Sequence, residues 1–181
     1  HAFLLFDPTS SLTFDLSLSG DMVADEVFDI TTYCSGDGSG TACPCGNSAG
    51  ANEGCMNGTG MGGQLGASGS ASASASSLVL QASQLVPSQP GLYFQGNNAT
   101  GSAAGITFGD GLRCAGGGVI RLQVRFADST GSSVSSIDIP ASGGVSAGQT
   151  KRYQVWYRDP NSTPCGLGFN LTNGIEVVWG A

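Results

Sequence analysis

The sequence predicts an all-β protein: an antiparallel, jelly-roll-like β-sandwich with an N-terminal strand arm and a disulfide-knotted loop. Three observations carry the prediction. Apolar residues recur at every second position in several short segments, the period of a strand with one buried face. Turn-forming clusters such as NGTG, PSQPG, GNNATG, FGDG, DSTGSS and TNG separate those segments at short intervals. No stretch repeats its apolar residues convincingly at helical spacing, so the strands are expected to follow one another without helices between them.

In chain order, the first strand lies in LTFDLSL, where Leu12, Phe14, Leu16 and Leu18 share a face opposite Thr13, Asp15 and Ser17. VFDITTY (27–33) is the second candidate. GASGSASASASS (66–77) is low in complexity and linker-like, but its Ala/Ser alternation equally suits a strand of small residues packed under something bulky, so no domain boundary is placed there. Further strands are expected in SLVLQAS (77–83), GLYFQG (91–96), VSSIDIP (134–140), RYQVWYR (152–158) and GIEVVW (174–179). The best is VIRLQVRF, with Ile120, Leu122, Val124 and Phe126 on a face opposite Arg121, Gln123 and Arg125. A boundary near residue 33 divides the chain into an arm, residues 1–32, which is a candidate donor strand, and a sandwich body, residues 33–181.

Composition points outside the cell. Only 10% of the 181 residues are charged, against roughly 25% in an average globular protein. Six cysteines, a single Lys151 and the lack of an initiator Met are expected of a secreted chain after signal-peptide removal, in a compartment where disulfides persist. No apolar run approaches the roughly 20 residues of a membrane span. The net charge of -7 argues against a nucleic-acid partner, which needs clustered Lys and Arg. Residues 1–112 contain no Lys or Arg, and all the basic residues (Arg113, Arg121, Arg125, Lys151, Arg152, Arg158) come later. Such asymmetry permits an acidic face of one copy to meet a basic face of the next.

Four cysteines lie in CSGDGSGTACPCGNSAGANEGC with spacing C-x8-C-x-C-x9-C. Zinc knuckles and thioredoxin-like sites need C-x2-4-C and C-x-x-C patterns. A Gly- and Ser-rich loop has little apolar surface to bury, so cross-links are the expected means of ordering it. Two crossed or nested bridges are expected among Cys34, Cys43, Cys45 and Cys55, excluding Cys43 with Cys45. The remaining Cys114 and Cys165 each follow a turn flanking a strong strand, and are expected to pair.

No catalytic constellation emerges, and the chain is read as a non-enzyme. His1 would need a second histidine to form a copper brace or a triad, and the chain has one. Asp37 and Asp110 sit in DG loops where a calcium ion could be held, yet the full loop pattern is missing and DG is commonly a plain turn, so no metal and no cofactor are assigned. Nothing singles out a pair of carboxylates for glycoside hydrolysis. Sequons at Asn57, Asn98, Asn161 and Asn170 are candidate glycosylation sites, and Ser70–Ser77 a candidate O-glycosylation tract. Tyr93, Tyr153, Trp156, Tyr157 and Trp179 could stack on sugars, but alternation sets Trp156 opposite Tyr153 and Tyr157, which favours the core for most of them.

The segments YCSGDGSG, CPCGNSAGANEGCMNGTG, GLYFQGNN, FGDGLRCAGGGVIRLQ and QVWYRDPNSTPCGLGFNLTNGIEV resemble a β-rich domain of secreted proteins from aquatic bacteria, often found at the C-terminus of large extracellular proteins. The resemblance covers roughly residues 33–181 and is most specific in WYRDP and GFNLTNG. It implies an extracellular β-rich module and no catalytic residues. With only residues 1–32 ahead of it, the module is expected to act by assembling or binding. The apolar face of Leu12, Phe14, Leu16 and Leu18 suits strand addition to another copy, and Phe3, Leu4, Leu5 and Phe6 form an apolar patch that needs cover. The expectation is a structural subunit of an extracellular filament or surface coat, with copies of itself as partner. The alternative is a secreted carbohydrate-binding or adhesion module with glycans as partners.

Overall fold

A computed structural model of the chain describes residues 29–160 and 165–181. The assembly strand Leu12, Phe14, Leu16 and Leu18, the Phe3–Phe6 patch, His1 and Asn161 lie outside the described residues. The strands are β1 (Ile30–Tyr33), β2 (Gln64–Ser68), β3 (Val79–Ser83), β4 (Pro90–Gly96), β5 (Asn98–Ala99), β6 (Ile106–Phe108), β7 (Gly111–Arg113), β8 (Ala115–Gly116), β9 (Ile120–Phe126), β10 (Ser133–Val134), β11 (Thr150–Arg158), β12 (Phe169–Leu171) and β13 (Gly174–Val178). A large antiparallel sheet runs β1-β13-β11-β4-β9, with β12 pairing the end of β11, and a smaller one runs β10-β3-β2. β1 ends at Tyr33, so the boundary drawn near residue 33 leaves residues 30–32 paired into the body sheet through β13.

The two sheets face each other because β11 and its neighbours alternate cleanly. Tyr153, Val155 and Tyr157 point inward with Tyr93, Ile175 and Val177, and meet Leu65, Leu80 and Ala82 of the small sheet in one core. Each large apolar side chain so buried contributes about 1.5–3 kcal/mol. The buried hydroxyls need partners. Trp179 Nε1 donates to Tyr153 Oη at 3.1 Å, Tyr153 Oη donates to Gln95 Oε1 at 3.0 Å, and Gln95 Nε2 donates to the Gly143 carbonyl at 2.9 Å. Burial pushes the Tyr153 and Tyr157 hydroxyls well above the usual phenol range, so both remain neutral donors.

Two expectations are corrected here. VSSIDIP is not a strand through 140: only Ser133–Val134 pairs, and Ile139–Gly143 forms a short helix, α1. Asp138 caps it by accepting the Ala141 N–H at 3.0 Å, Pro140 sits in the first turn where its missing N–H costs nothing, and Gly144 at φ 59° ends it. The Ala/Ser tract contributes only its start to β2. Beyond β2, Ala71 is fully buried against the main core, and the Ala71 and Gly180 backbones bond at 3.0 Å, so small residues pin the C-terminus. Among the described residues no helix is long and apolar enough to cross a membrane.

The outer face of the large sheet carries a second layer, built from the cysteine loop and β5–β8. Gln154, on that face of β11 and fully buried, ties the layers: its Oε1 accepts from Cys114 N at 2.9 Å, and its Nε2 donates to the Leu112 and Thr172 carbonyls at 2.8 and 2.6 Å. Gly54 lets the loop touch the sheet, because a Cβ there would run into the Leu171 carbonyl oxygen. Gly54→Ala is therefore expected to cost about 2–3 kcal/mol by overpacking, whereas Gly66→Ala, which meets nothing within 4 Å, should stay within about 0.5 kcal/mol. Urea midpoints of the two variants check this, and equal midpoints would show that the loop yields.

Candidate assembly surface

β9 is one edge of the large sheet: it pairs with β4, and among the described residues no strand pairs its other side. Its side chains do not divide as the sequence alternation predicts. Pairing shifts between Tyr93/Gln123 and Phe94/Arg121, leaving Leu122 as an extra residue, a β-bulge. Leu122 packs onto the main core, while Val124 lies opposite Leu92 on the outer face and Phe126 lies opposite Pro90. Val124 is 59% and Phe126 68% exposed, and Ile120 is exposed as well. The expected single buried face of Ile120, Leu122, Val124 and Phe126 is thus overturned, because one inserted residue inverts the parity of a period-two element.

Beside this edge the outer layer stops short. It leaves an apolar groove of ≈ 490 Å³ lined by Leu92, Phe94, Phe108, Val119, Val124 and Trp156. Trp156 and Phe108 flank Phe169 at ring-centroid distances of 5.5 and 5.3 Å. Arg113 and Arg121 border the groove. Two basic residues of β11 are engaged: Arg152 pairs with Glu176 at 2.6 Å, and Lys151 Nζ donates to Asn97 Oδ1 at 2.8 Å. Arg121 and Arg125 stand exposed on β9.

All six cysteines are bridged, but not as expected. The pairs are Cys34–Cys114, Cys43–Cys55 and Cys45–Cys165. Cys114 therefore does not pair with Cys165, and only one bridge closes within the loop. The reason is the second layer. β1 delivers Cys34 to the end of β7, where Tyr33 Oη donates to the Cys114 carbonyl at 3.0 Å, while Cys45 at the rim of the loop meets Cys165. Cys34, Cys43, Cys55, Cys114 and Leu112 form their own small core.

The other expected site residues scatter. Tyr93, Tyr153, Tyr157 and Trp179 are interior, and only Trp156 of the five rings borders solvent. Asn57 and Asn170 are buried with their amide nitrogens already donating, Asn57 Nδ2 to Gln84 O and Tyr157 Oη, Asn170 Nδ2 to Cys55 O and Met56 O. Folding removes both from the glycosylation candidates, and among the described sequons Asn98 is the exposed one. Asp37 is a plain turn: Ser39 donates its hydroxyl at 2.6 Å and its N–H at 2.9 Å, holding the carboxyl below the usual range. Asp110 is different, being fully buried.

The groove residues Phe108 and Val119 carried no signal in the sequence, since each lies in a short segment beside glycines. Gln154 was visible only as the polar member of an alternating strand. No family model matches the chain, and neither does any curated protein or solved structure.

Proposed function

We propose that the chain is a non-enzymatic structural subunit of an extracellular filament or surface coat, joined head to tail by an N-terminal strand that adds to the β9 edge of the next copy. The observation that carries the reading is the β9 edge itself, a row of backbone that no strand pairs among the described residues, with exposed Val124 and Phe126. Natural proteins usually blunt or cover such edges. The segment Leu12–Leu18 matches β9 in length, seven residues each. Its apolar face of Leu12, Phe14, Leu16 and Leu18 suits the groove beside the edge. Residues 1–29 carry acidic side chains and no Lys or Arg, whereas Arg121 and Arg125 stand on β9, so charge favours the docking.

Topology supports propagation over closure. β1, from which the arm departs, and β9 are opposite edges of one sheet, about 19 Å apart at ordinary strand spacing. An arm leaving the β1 edge and pairing with a neighbour's β9 joins unlike surfaces, the heterologous geometry that grows into a filament wherever the rotation between copies does not close a ring. Three disulfides agree with an oxidising, extracellular setting. The carbohydrate-binding reading retains one ring, Trp156, and a glycan array reporting specific binding lost in Trp156→Ala would favour it instead.

Deleting residues 1–19 tests the proposal. The expected product is a folded monomer by sedimentation, with no fibres in negative stain, while the full chain polymerises. Assembly that survives the deletion, or a full chain that stays monomeric at all concentrations, would overturn strand exchange.

A further inference from the structure

Asn47 bonds to the Asp110 main chain, and Asp159 lies near enough to feel the Asp110 charge, although the three come from CPCGN, FGDG and WYRDP, segments distant in sequence. All three are buried, at 2%, 0% and 0% exposure. Asn47 Nδ2 donates to the Asp110 carbonyl at 2.7 Å and to the Met56 carbonyl at 2.9 Å, clamping the amide onto the Asp110 main chain. Among the described residues its Oδ1 has no donor. Asp110 Oδ1 accepts from Leu167 N at 3.1 Å, but its Oδ2 is buried and likewise without a donor. Asp159 accepts the single Gly58 N–H on both oxygens, each at 3.1 Å. Burial raises its pKa, the Gly58 N–H lowers it, and the nearby charge of Asp110 raises it further.

Two buried carboxylates and an orphaned amide oxygen make an unfavourable arrangement by themselves. A buried unpaired acceptor costs about 1–3 kcal/mol and an unpaired charge more, and among the described residues no Lys, Arg or His forms an ion pair with either carboxylate. Three neutralising agents are open to such a site: a proton on Asp110 or Asp159, a water, or a cation. A water donates two hydrogen bonds but leaves both charges in place. A proton removes one charge, yet at neutral pH a carboxyl holds it only against its own intrinsic acidity. Of the three, only a hard cation brings positive charge and takes oxygen ligands at the same time.

We propose that Asp110, Asp159 and Asn47 bind one calcium ion. The donor set is oxygen only: two carboxylates and a side-chain amide oxygen, with waters completing the six to eight ligands that Ca²⁺ accepts. Among the described residues no three His, Cys, Asp or Glu side chains gather as a metal site, which is no obstacle, because calcium draws on amide oxygens as readily. The ion would tie the cysteine loop, the β6–β7 turn and the end of β11, fastening the outer layer to the sheet without catalytic work. The site is independent of the assembly proposal and stands or falls separately.

The test uses the full chain with its disulfides intact, stripped with a chelator and titrated with CaCl₂. Calorimetry is expected to give one site per chain, with Kd near the 10⁻⁴–10⁻³ M of extracellular modules. At a calcium concentration a hundred times Kd the folding equilibrium should shift roughly 100-fold toward the native state, read as a rise in Tm. Asp159→Asn should abolish both responses, and Asp37→Asn should leave them unchanged. Should Asp110→Asn fail to fold, Asp159→Asn still decides. No response of the stripped wild-type chain up to roughly 10 mM calcium, ten times the weakest of those modules, would overturn the site and leave the orphaned oxygens to a proton or water. So would wild-type binding in Asp159→Asn, or an equal response to magnesium.

Discussion

Replacing both Cys34 and Cys114 with alanine is expected to lower the unfolding free energy by about 4.5 kcal/mol, the chain-entropy figure for a loop of this size. This bridge spans 80 residues, whereas Cys43–Cys55 spans 12. Closing the shorter loop restricts the unfolded chain less, so Cys43→Ala/Cys55→Ala should cost nearer 3 kcal/mol. The surroundings of the longer bridge act in the same direction. Cys34 and Cys114 hold the outer layer against β1 and sit beside Tyr33 and Gln154, so their loss also loosens the contact between layers. The measurement is a urea titration of each double variant by fluorescence and far-UV circular dichroism. A larger loss from the short loop than from the long one would show that local packing, not chain entropy, governs these bridges. The base of the arm is covalently anchored by the same bond, because Cys34 directly follows β1. Reduction is therefore expected to weaken any polymer at lower denaturant than it unfolds the sandwich core.

Val124→Glu/Phe126→Glu is expected to suppress assembly by at least roughly 10-fold while leaving the monomer fold intact. Both side chains are mostly exposed, and surface changes of this kind typically move stability by about 0.5 kcal/mol or less. A docked strand would bury them. Each added carboxylate would then be desolvated beside an acidic arm, and about 1.4 kcal/mol of penalty already gives tenfold. Arg121→Glu/Arg125→Glu should slow assembly chiefly through association, with the wild-type rate falling as salt rises. Sedimentation velocity against concentration, with circular dichroism as the fold control, reads both pairs. Unaltered polymerisation of the Val124→Glu/Phe126→Glu chain would remove β9 as the acceptor edge.

The positions of the strongest strands were legible because the signal is local. In RYQVWYR the pattern assigns Tyr153, Val155 and Tyr157 to one side and Trp156 to the other, and the sheet places them so. The same logic failed at VIRLQVRF, where a bulge at Leu122 depends on the register with β4 and no residue of β9 announces it. It failed again at VSSIDIP, where an Asp N-cap and a following Pro compete with alternation and win. The groove was illegible for a related reason: Leu92, Phe94 and Trp156 each look like ordinary strand residues, and only the incomplete outer layer leaves them beside solvent.

The sequence by itself determined that this chain is β-rich, disulfide-bonded and cation-poor through residue 112, since side-chain polarity, thiol count and charge are properties of single residues or near neighbours. Only the tertiary structure decided which cysteines meet. A disulfide needs Cα atoms within about 7 Å, and whether Cys114 faces Cys34 or Cys165 depends on how β7 and the loop fold over the outer face of β11. The same holds for Asp37 and Asp110, both written as DG. One closes an exposed turn on Ser39, while the other is carried inside beside Asn47 and Asp159, where a buried oxygen without a donor turns an unremarkable dipeptide into a candidate ligand.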